Sequence, residues 1–310
     1  MSHSAPDSGP SQHTVLGTVL TMPVQIRTAE QHMAMFSVDA DAAQRMIDYS
    51  GLRVYRFRPR RAVVVLMLMR YVDGDLGPYL EYGTNVMVNR PGSEEAGLRG
   101  LGSAGAFVHH LPVDGEFTLQ AGRQIWGYPK VLADFTVRGA DYGAGVRGAD
   151  NVAGVRGADN VAGVRGADNV AGVRGADNVA GVRGADNVAG VRGADNVAGV
   201  REGKPFGFDV NIDGKLAVGM DFKPGLPVPS AFTAKPQVQS TYSYLDGVLR
   251  ETEGQMRLSG VRYRPGGVTV RLGEHPYGRE LSTLGLPKRA MLSSSVRNVQ
   301  MTFADAKEIS

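Results

Sequence analysis

Several residue types are scarce or absent in this chain, and each absence narrows the chemistry available to it. The 310 residues include no cysteine, which excludes disulfides, thiolate metal ligands and cysteine nucleophiles and fits a reducing compartment. Only one tryptophan is present, Trp126. Lysine does not occur before Lys130, and no other follows until Lys204. The apolar run 63–69 is too short to span a bilayer and predicts a strand buried on both faces.

The remaining composition is that of a globular protein with little net charge. Hydrophobic residues make up 42% and charged residues 21%, and the net charge is +3. The arginines are scattered apart from one cluster at 58–61, which argues against a nucleic-acid partner. Residues 1–13 are polar and resemble a disordered tail without a secretory signal. We therefore expect a cytoplasmic protein with no membrane partner.

Short apolar segments separated by Gly, Asp and Pro dominate from Leu52 onward and predict strand after strand. Their spacing indicates an α+β chain with predominantly antiparallel β structure, closed or sandwiched, and a few helices. One helix is predicted over 37–47, capped by Asp39 or Ser37. The Asp-Gly pairs at 73–74, 213–214 and 246–247 predict hairpin turns. We expect one domain over 14–310, interrupted by an insertion at 139–201.

The insertion is a tandem repeat. The nonapeptide Gly-Ala-Asp-Asn-Val-Ala-Gly-Val-Arg occurs six times without change from Gly148 to Arg201, after a diverged copy at 139–147. One interpretation is an expanded hairpin loop, because the flanking segments 135–146 and 202–210 would otherwise join as two strands. In another frame the unit follows the calcium β-roll nonapeptide except at its second glycine, which predicts an ordered stack or a calcium site.

Lys130 is the residue that points most directly to a chemistry. It lies in the segment 122–132, beside the sole tryptophan, whereas lysine normally occupies a wet surface. Burial of an amine disfavours its charged form, and a neutral amine is a nucleophile for ketones. Other candidates are Glu81, His109, His110, His275 and the serines 293–295. The adjacent histidines should face opposite sides of a strand, so we predict no metal site there.

The segment Gly-Arg-x-x-x-x-Tyr-Pro-Lys at 122–130 resembles the active-site segment of the acetoacetate decarboxylase family. Three further segments resemble that family in the same order: 39–42 its first helix, 79–83 the segment holding an active-site glutamate, and 286–295 its Leu-Pro and Ser-Ser-Ser pattern. The similarity covers about 17–306 without the repeats. It implies a barrel or cone-like fold and a homo-oligomer.

The resemblance also implies a function. Lys130 would form a Schiff base with a small keto acid, Glu81 would do acid–base or orienting work, and Tyr128 would contact the substrate. Acetoacetate decarboxylase is itself a standard example of a lysine activated by its surroundings. Such a lyase decarboxylates a β-keto acid through an iminium and an enamine, and it needs no metal or organic cofactor. Open alternatives are an aldolase or dehydratase using the same lysine, and a non-catalytic binding or assembly protein that uses the repeat.

The chain departs from the family pattern at several positions. Val131 replaces a second lysine that follows the Schiff-base lysine, and Gln124 replaces an acidic residue. The second active-site glutamate aligns with Leu66, and the active-site arginine aligns with Ala29, two residues from Arg27. We therefore expect Arg27 and Leu66 to line the substrate pocket, and a more apolar pocket to take a keto acid other than acetoacetate.

Overall fold

Strands dominate the computed structural model, which describes residues 10–139, 152–153, 170–171, 205–233 and 235–309. The strands are β1 Gln12–Val15, β2 Thr18–Thr21, β3 Val24–Asp39, β4 Arg61–Gly74, β5 Tyr79–Val88, β6 Gly105–Val113, β7 Lys130–Leu132, β8 Asp134–Gly139, β9 Val152–Ala153, β10 Val170–Ala171, β11 Phe206–Ile212, β12 Lys215–Phe222, β13 Leu226–Pro227, β14 Gln237–Leu245, β15 Val248–Arg264, β16 Val268–Leu272, β17 Leu292–Phe303 and β18 Lys307–Ile309. The α-helices are α1 Ala40–Ile47, α2 Glu116–Trp126 and α3 Pro276–Thr283, and short 3-10 turns span Asp48–Ser50, Arg99–Gly102 and Ser230–Phe232.

Seven strands close into a barrel. The order is β3, β4, β5, β6, β14, β15 and β17, and β17 pairs again with β3. Neighbours are antiparallel except at the seam between β6 and β14, where two residue pairs align in parallel. Closure leaves no free edge among these seven strands. The predicted strand-rich architecture with few helices is confirmed.

A second sheet packs on one face of the barrel strands. Its order is β16, β12, β11 and β8, and every contact between neighbours is antiparallel. Its apolar side chains share one core with alternate residues of the barrel, including Leu66 and Leu68 of β4. Because successive strand residues face opposite ways, Met69 and Tyr71 of β4 lie in a different core with α2.

Helix α1 follows β3 without a loop. The side chain of Asp39 accepts hydrogen bonds from the backbone N–H groups of Asp41 and Ala42, which makes it the N-cap. Of the two predicted caps, the structure selects Asp39. The helix therefore begins later than the predicted Ser37, because residues 37–39 pair with β4.

The Asp-Gly pairs behave differently according to their surroundings. Asp213 and Gly214 both have positive φ, as do Asp246 and Gly247, and both pairs join adjacent antiparallel strands as predicted. The pair at 73–74 instead lies within β4, and the chain turns at 75–78. Strand β1 begins at Gln12, inside the segment expected to be a tail.

A β-bulge in β6 changes the direction of one histidine. Thr84 pairs with His110, whereas the next residue of β5, Asn85, pairs with Val108, so His109 is an extra residue in β6. A bulge of this kind breaks the alternation of side chains. The two histidines consequently have ring centroids 4.0 Å apart. The prediction that they face opposite sides is therefore wrong.

The repeat lies largely outside the described residues, so the loop, stack and calcium interpretations remain predictions. Two dipeptides within it, β9 and β10, pair in parallel. On either side, β8 and β11 pair as neighbours, and Gly139 lies opposite Phe206. No helix in the described part of the chain is long and apolar enough to cross a membrane.

Candidate active site

The end of α2 brings Lys130 back over the helix that precedes it. Gly127 has a φ of 62° and ends the helix, and its N–H donates to the carbonyl oxygen of Gly122. The N–H of Tyr128 donates to the same oxygen at 3.0 Å. The chain then enters β7, where Lys130 lies beside Leu111 of β6 in parallel register. A helix stop therefore determines where the lysine enters the core.

Gly122 makes room for the lysine side chain. A Cβ atom at this position would lie 2.5 Å from both Cδ and Cε of Lys130 and 3.2 Å from Nζ. Separations below 3.0 Å require something to move. The stem of Lys130 thus lies against bare helix backbone. Glycine at this position therefore leaves the space that the lysine stem occupies, although glycine is otherwise unfavourable in the middle of a helix.

The amine of Lys130 lies among polar and aromatic groups deep in the protein. Its Nζ is 2.8 Å from Oε2 of Glu81 and donates to Oγ1 of Thr118 at 2.8 Å. It also lies 5.0 Å from the ring centroid of Tyr79, within range of a cation–π contact. The lysine is only 3% exposed. The predicted burial of Lys130 and its pairing with Glu81 are thus features of the structure.

Tyr71 supplies the second partner of Glu81. Its hydroxyl donates to Oε1 at 2.9 Å, so each oxygen of the carboxylate has one partner. The ring of Tyr71 stacks on Tyr79 with centroids 4.1 Å apart. Burial, reinforced by the charge of Glu81, raises the pKa of both phenols well above their usual value. Both phenols therefore remain protonated and able to donate hydrogen bonds.

A second carboxyl group lies on the strand end next to this site. Asp114 accepts a hydrogen bond from the backbone N–H of Leu80 at 2.8 Å. Burial, with a smaller contribution from the charge of Glu81, raises the pKa of Asp114 to about 6. Asp114 therefore exchanges a proton with solvent close to neutral pH.

Tyr128 and Trp126 anchor the lysine segment to β14 and to the residue that follows β17. The hydroxyl of Tyr128 is 3.0 Å from Oγ1 of Thr241, and burial raises its pKa to about 12. The indole N–H of Trp126 donates to the carbonyl oxygen of Ala304 at 2.8 Å. Both rings belong to the same apolar core as Tyr79. Tyr128 thus lies near the lysine, while its role as a substrate contact remains a prediction.

The structure does not bring Arg27 or Leu66 to the lysine. Arg27 is half exposed and forms ion pairs with Asp73 at 2.8 Å and Asp75 at 2.7 Å. Leu66 is fully buried but lies on the face of β4 opposite to Met69, which pairs with Glu81. Strand alternation therefore directs Leu66 into the core under the second sheet.

The other departures from the family pattern also fall in informative places. Ala29 is buried in the core that holds Tyr128 and lies opposite Tyr71 in the β3–β4 register. Val131 packs against the core under the second sheet, the opposite side from Lys130. Gln124 lies on the exposed face of α2 and donates to Gln120. Of these three, Ala29 is the one beside the side chains that contact Glu81.

Sequence reasoning missed three residues that contact Lys130 or Glu81. Tyr79 is two residues before Glu81 and shares its strand face, a signal that the period of a strand supplies. Thr118 is four residues before Gly122, hence on the same face of α2. Tyr71 carried no comparable signal, because its position depends on the β4–β5 register.

The remaining candidates lie elsewhere in the fold. His275 caps α3, where its Nδ1 accepts from the N–H of Tyr277 at 3.2 Å. Ser293 and Ser294 are buried on β17, and Ser295 hydrogen bonds to His32 at 3.0 Å. His109 and His110 lie close to Glu280, and these three form a group with metal-ligand chemistry among the described side chains.

Comparisons with known proteins agree on one family. The family model for acetoacetate decarboxylase matches residues 8–166, about half of the chain. The structure is similar to that of acetoacetate decarboxylase from Legionella pneumophila subsp. pneumophila str. Philadelphia 1, with a TM-score of 0.55 and 15% identity over 100% of this chain and 93% of that chain.

A second solved structure of similar fold is the enduracididine biosynthesis enzyme MppR complexed with pyruvate. Its TM-score is 0.52 at 14% identity, over 98% of this chain and 99% of that chain. The same enzyme complexed with the condensation product of pyruvate and imidazole 4-carboxaldehyde has a TM-score of 0.51 at 14% identity, over 98% of both chains. No match among curated proteins was found.

At these identities the structural likenesses establish the fold, which is the barrel-type fold expected from the motif. The sequence match covers the segment that carries both Glu81 and Lys130. The chain belongs to the acetoacetate decarboxylase family.

Proposed function

We propose that this protein is a Schiff-base lyase that decarboxylates a β-keto acid through Lys130. The observation that carries the proposal is the placement of the lysine amine. It is buried, 2.8 Å from a carboxylate oxygen of Glu81 and 2.8 Å from the hydroxyl of Thr118. An amine held this way has a proton acceptor and an orienting group in direct contact, which are the two requirements for nucleophilic attack on a ketone.

Glu81 and Thr118 have separate roles in the first step. Glu81 accepts a proton from the ammonium, and the free amine of Lys130 attacks the carbonyl carbon of the substrate. The carboxyl group returns that proton to the alkoxide oxygen and then relays a second proton to it from the nitrogen, so the oxygen leaves as water and the iminium remains. Thr118 holds the amine in line, so that its lone pair faces the substrate. Tyr71 keeps the carboxylate in place from the other side.

The iminium then acts as an electron sink. The bond between the α-carbon and the carboxylate breaks, carbon dioxide leaves, and the electron pair moves to the nitrogen as an enamine. A carboxylate next to Glu81 suffers like-charge repulsion, which departure of neutral carbon dioxide relieves. Glu81, again a carboxylate once water has left, or a phenol then relays a proton from solvent to the α-carbon, and water hydrolyses the new iminium. The products are a ketone and free Lys130.

A condensation or dehydration of an oxo acid is the second candidate. It uses the same iminium and enamine, but Glu81 removes a proton from the α-carbon in place of loss of carbon dioxide. Two observations favour it. The first is that Lys130 is the cation that pairs with Glu81 among the described residues, because Val131 stands in place of a second amine. The second is that the similar enzyme MppR was solved with a condensation product. In this candidate, the site provides one carboxylate, Glu81, and one amine, Lys130, rather than two amines.

A binding or assembly role for the repeat is the third candidate. It requires no chemistry at Lys130, so it makes a different prediction for a trapping experiment. We also propose that the protein is cytoplasmic and acts as a homo-oligomer, in line with its family resemblance. Size-exclusion chromatography with light scattering measures the oligomeric state.

Reductive trapping tests the enzyme proposals. The protein is incubated with a panel of β-keto and 2-oxo acids, reduced with borohydride, digested, and analysed by mass spectrometry for an adduct on Lys130. The matched control is Lys215, an exposed lysine on β12. We expect an adduct on Lys130 and none on Lys215. A folded protein that gives no adduct with any acid would exclude both enzyme candidates.

Product analysis separates the two enzyme candidates. Release of carbon dioxide with formation of a ketone identifies the decarboxylase. Loss of water, or a new carbon–carbon bond with an added aldehyde, identifies the alternative. Either outcome requires the Lys130 adduct to appear first.

A further inference from the structure

We propose that His109, His110 and Glu280 form a binding site for a divalent transition-metal ion of the zinc class. Nε2 of His109 lies 3.0 Å from Oε2 of Glu280, and Nε2 of His110 lies 2.5 Å from the same oxygen. The ligand atoms of the three residues all lie within 4.8 Å of one another. Two imidazoles and a carboxylate, with no thiolate, are a donor set that suits zinc and its neighbours.

The buried nitrogen of His109 is the second observation. Its side chain is 4% exposed, and among the described residues Nε2 has no hydrogen-bond partner. Glu280 is close enough in distance, so the ring must be oriented away from the line to that oxygen. A buried ring nitrogen without a hydrogen bond is costly. An ion placed beside the carboxylate, on the axis of the nitrogen, would satisfy it.

Tyr49 and Tyr277 hold the two imidazole rings in the orientation that binding of an ion requires. The hydroxyl of Tyr49 lies 2.8 Å from Nδ1 of His109, which fixes the ring from the side away from the ligand atom. The ring of Tyr277 stacks on His110 with centroids 3.5 Å apart. Metal-binding histidines commonly have a hydrogen-bond partner on their second nitrogen. Both supports come from segments distant in sequence from β6.

The glutamate needs only a small movement to accept an ion. Ligands around a tetrahedral zinc ion at about 2.0–2.1 Å lie about 3.3 Å apart. The glutamate is closer than this to both rings and must move outward by under about 1 Å. Its side chain is 32% exposed, against 4% and 14% for His109 and His110, so it is free to do so. Three protein ligands leave a position open to water.

Metal titration of the untagged full-length protein in metal-free buffer tests the proposal. Zinc binding is followed by calorimetry, and cobalt(II) serves as a spectroscopic probe of the coordination. We expect one zinc ion per chain, a visible absorption band with cobalt, and no comparable response to magnesium. The proposal is overturned if the wild-type protein binds no zinc.

Variants locate the ion. Glu280→Gln keeps the size of the side chain and removes the carboxylate ligand, and His110→Asn removes an imidazole. We expect both to lose the cobalt band, while His13→Ala, an unrelated histidine paired with Asp305, retains it. Tyr49→Phe should weaken affinity about 10- to 100-fold without abolishing binding. Unchanged zinc affinity in Glu280→Gln would place the ion elsewhere and overturn the assignment, even if His110→Asn fails to fold.

Discussion

Glu81 and Glu280 each contact two side chains, but the side chains differ in chemical type. This difference suits the two glutamates to different chemistry. Glu81 contacts an amine and a phenol, and Glu280 contacts two imidazoles. The first carboxylate is 8% exposed and the second 32%. The first arrangement holds an amine out of water. The second offers converging lone pairs near the surface.

The two sites also differ in how the chain assembles them. Glu81, Thr118 and Lys130 lie within one stretch of 50 residues, on β5, α2 and β7 respectively. Glu280 is 170 residues from His110, and a bulge in β6 is needed to align the histidines. The first site is thus visible as a local motif, whereas the second depends on the whole fold.

Replacing the lysine should have the largest effect. Lys130→Arg retains a positive charge beside Glu81, but a guanidinium is not a nucleophile for ketones, so we expect a loss of turnover of at least about 10³-fold and no borohydride adduct. Lys215→Arg should have normal activity. Circular dichroism checks the fold, and Lys130→Met provides a second test if arginine does not fit. If a folded Lys130 variant retained turnover, Lys130 would not be the nucleophile, and the proposed difference between the Glu81 and Glu280 sites would be contradicted.

Replacing Glu81 sharpens the comparison from the carboxylate side. Glu81→Gln preserves shape but cannot accept the ammonium proton, so we expect turnover to fall by about 10²–10⁴-fold. Steady-state rates and the rate of adduct formation should fall together. Tyr71→Phe, which leaves the carboxylate itself intact, should have a smaller effect. A Glu81→Gln variant with normal adduct formation would show that another group takes the proton.

Gly122→Ala tests whether the lysine stem needs bare helix backbone. Alanine raises helix propensity by about 1 kcal/mol, so a purely local view predicts a more stable protein. The added Cβ would instead displace Cδ and Cε of Lys130, and we expect turnover to fall by about 10- to 100-fold with the fold intact. Gln124→Ala, on the exposed face of α2, is the control. Equal activity in both variants would contradict the steric explanation.

Asp114, near Glu81, should make the free energy of unfolding depend on pH. Its folded pKa of about 6 lies above its ordinary value of 3.8, so the folded state binds the proton more tightly than the unfolded state. Stability from this group is complete below about pH 4 and declines as the pH rises through about 6, by on the order of 3 kcal/mol. Urea unfolding at several pH values should show this slope, and Asp114→Asn should remove its share of it. An unchanged profile would show that Asp114 titrates normally.

We expect the smallest effect when a variant of the proposed metal site, Glu280→Gln, is tested for adduct formation at Lys130. Glu280→Gln should leave the rate of Lys130 trapping within about twofold of the wild-type rate, because none of the described residues contacts both sites. The measurement is the same mass-spectrometric assay, without added metal. A tenfold change would mean that the two sites are coupled.

The sequence predicted the lysine and its glutamate because both belong to local motifs. Lys130 stood out by its isolation, and the hairpin turns at Asp213 and Asp246 followed from residue types that accept positive φ. Partners set by strand register were not predictable in this way. Tyr71 reaches Glu81 only through the β4–β5 pairing, and one extra residue in β6 reversed the expected direction of His109.

Arg27 and Leu66 show the same limit for alignment-based inference. Both residues lie in strands, as expected for residues that line the pocket. In a strand, however, a shift of the alignment by one residue moves a side chain to the opposite face. Leu66 lies under the second sheet, and Arg27 is engaged with two surface aspartates. The strand and its approximate position were predictable, whereas the face depended on the three-dimensional register.

The pairing of Gly139 with Phe206 has a consequence for how this gene can vary. The segments on either side of the repeat are held on neighbouring strands, with Gly139 opposite Phe206. For a closed loop of chain, each doubling of its length costs only about 0.6 kcal/mol. The loop interpretation of the repeat therefore predicts that alleles with more or fewer nonapeptides fold alike, so that length polymorphism here is nearly neutral for the rest of the fold.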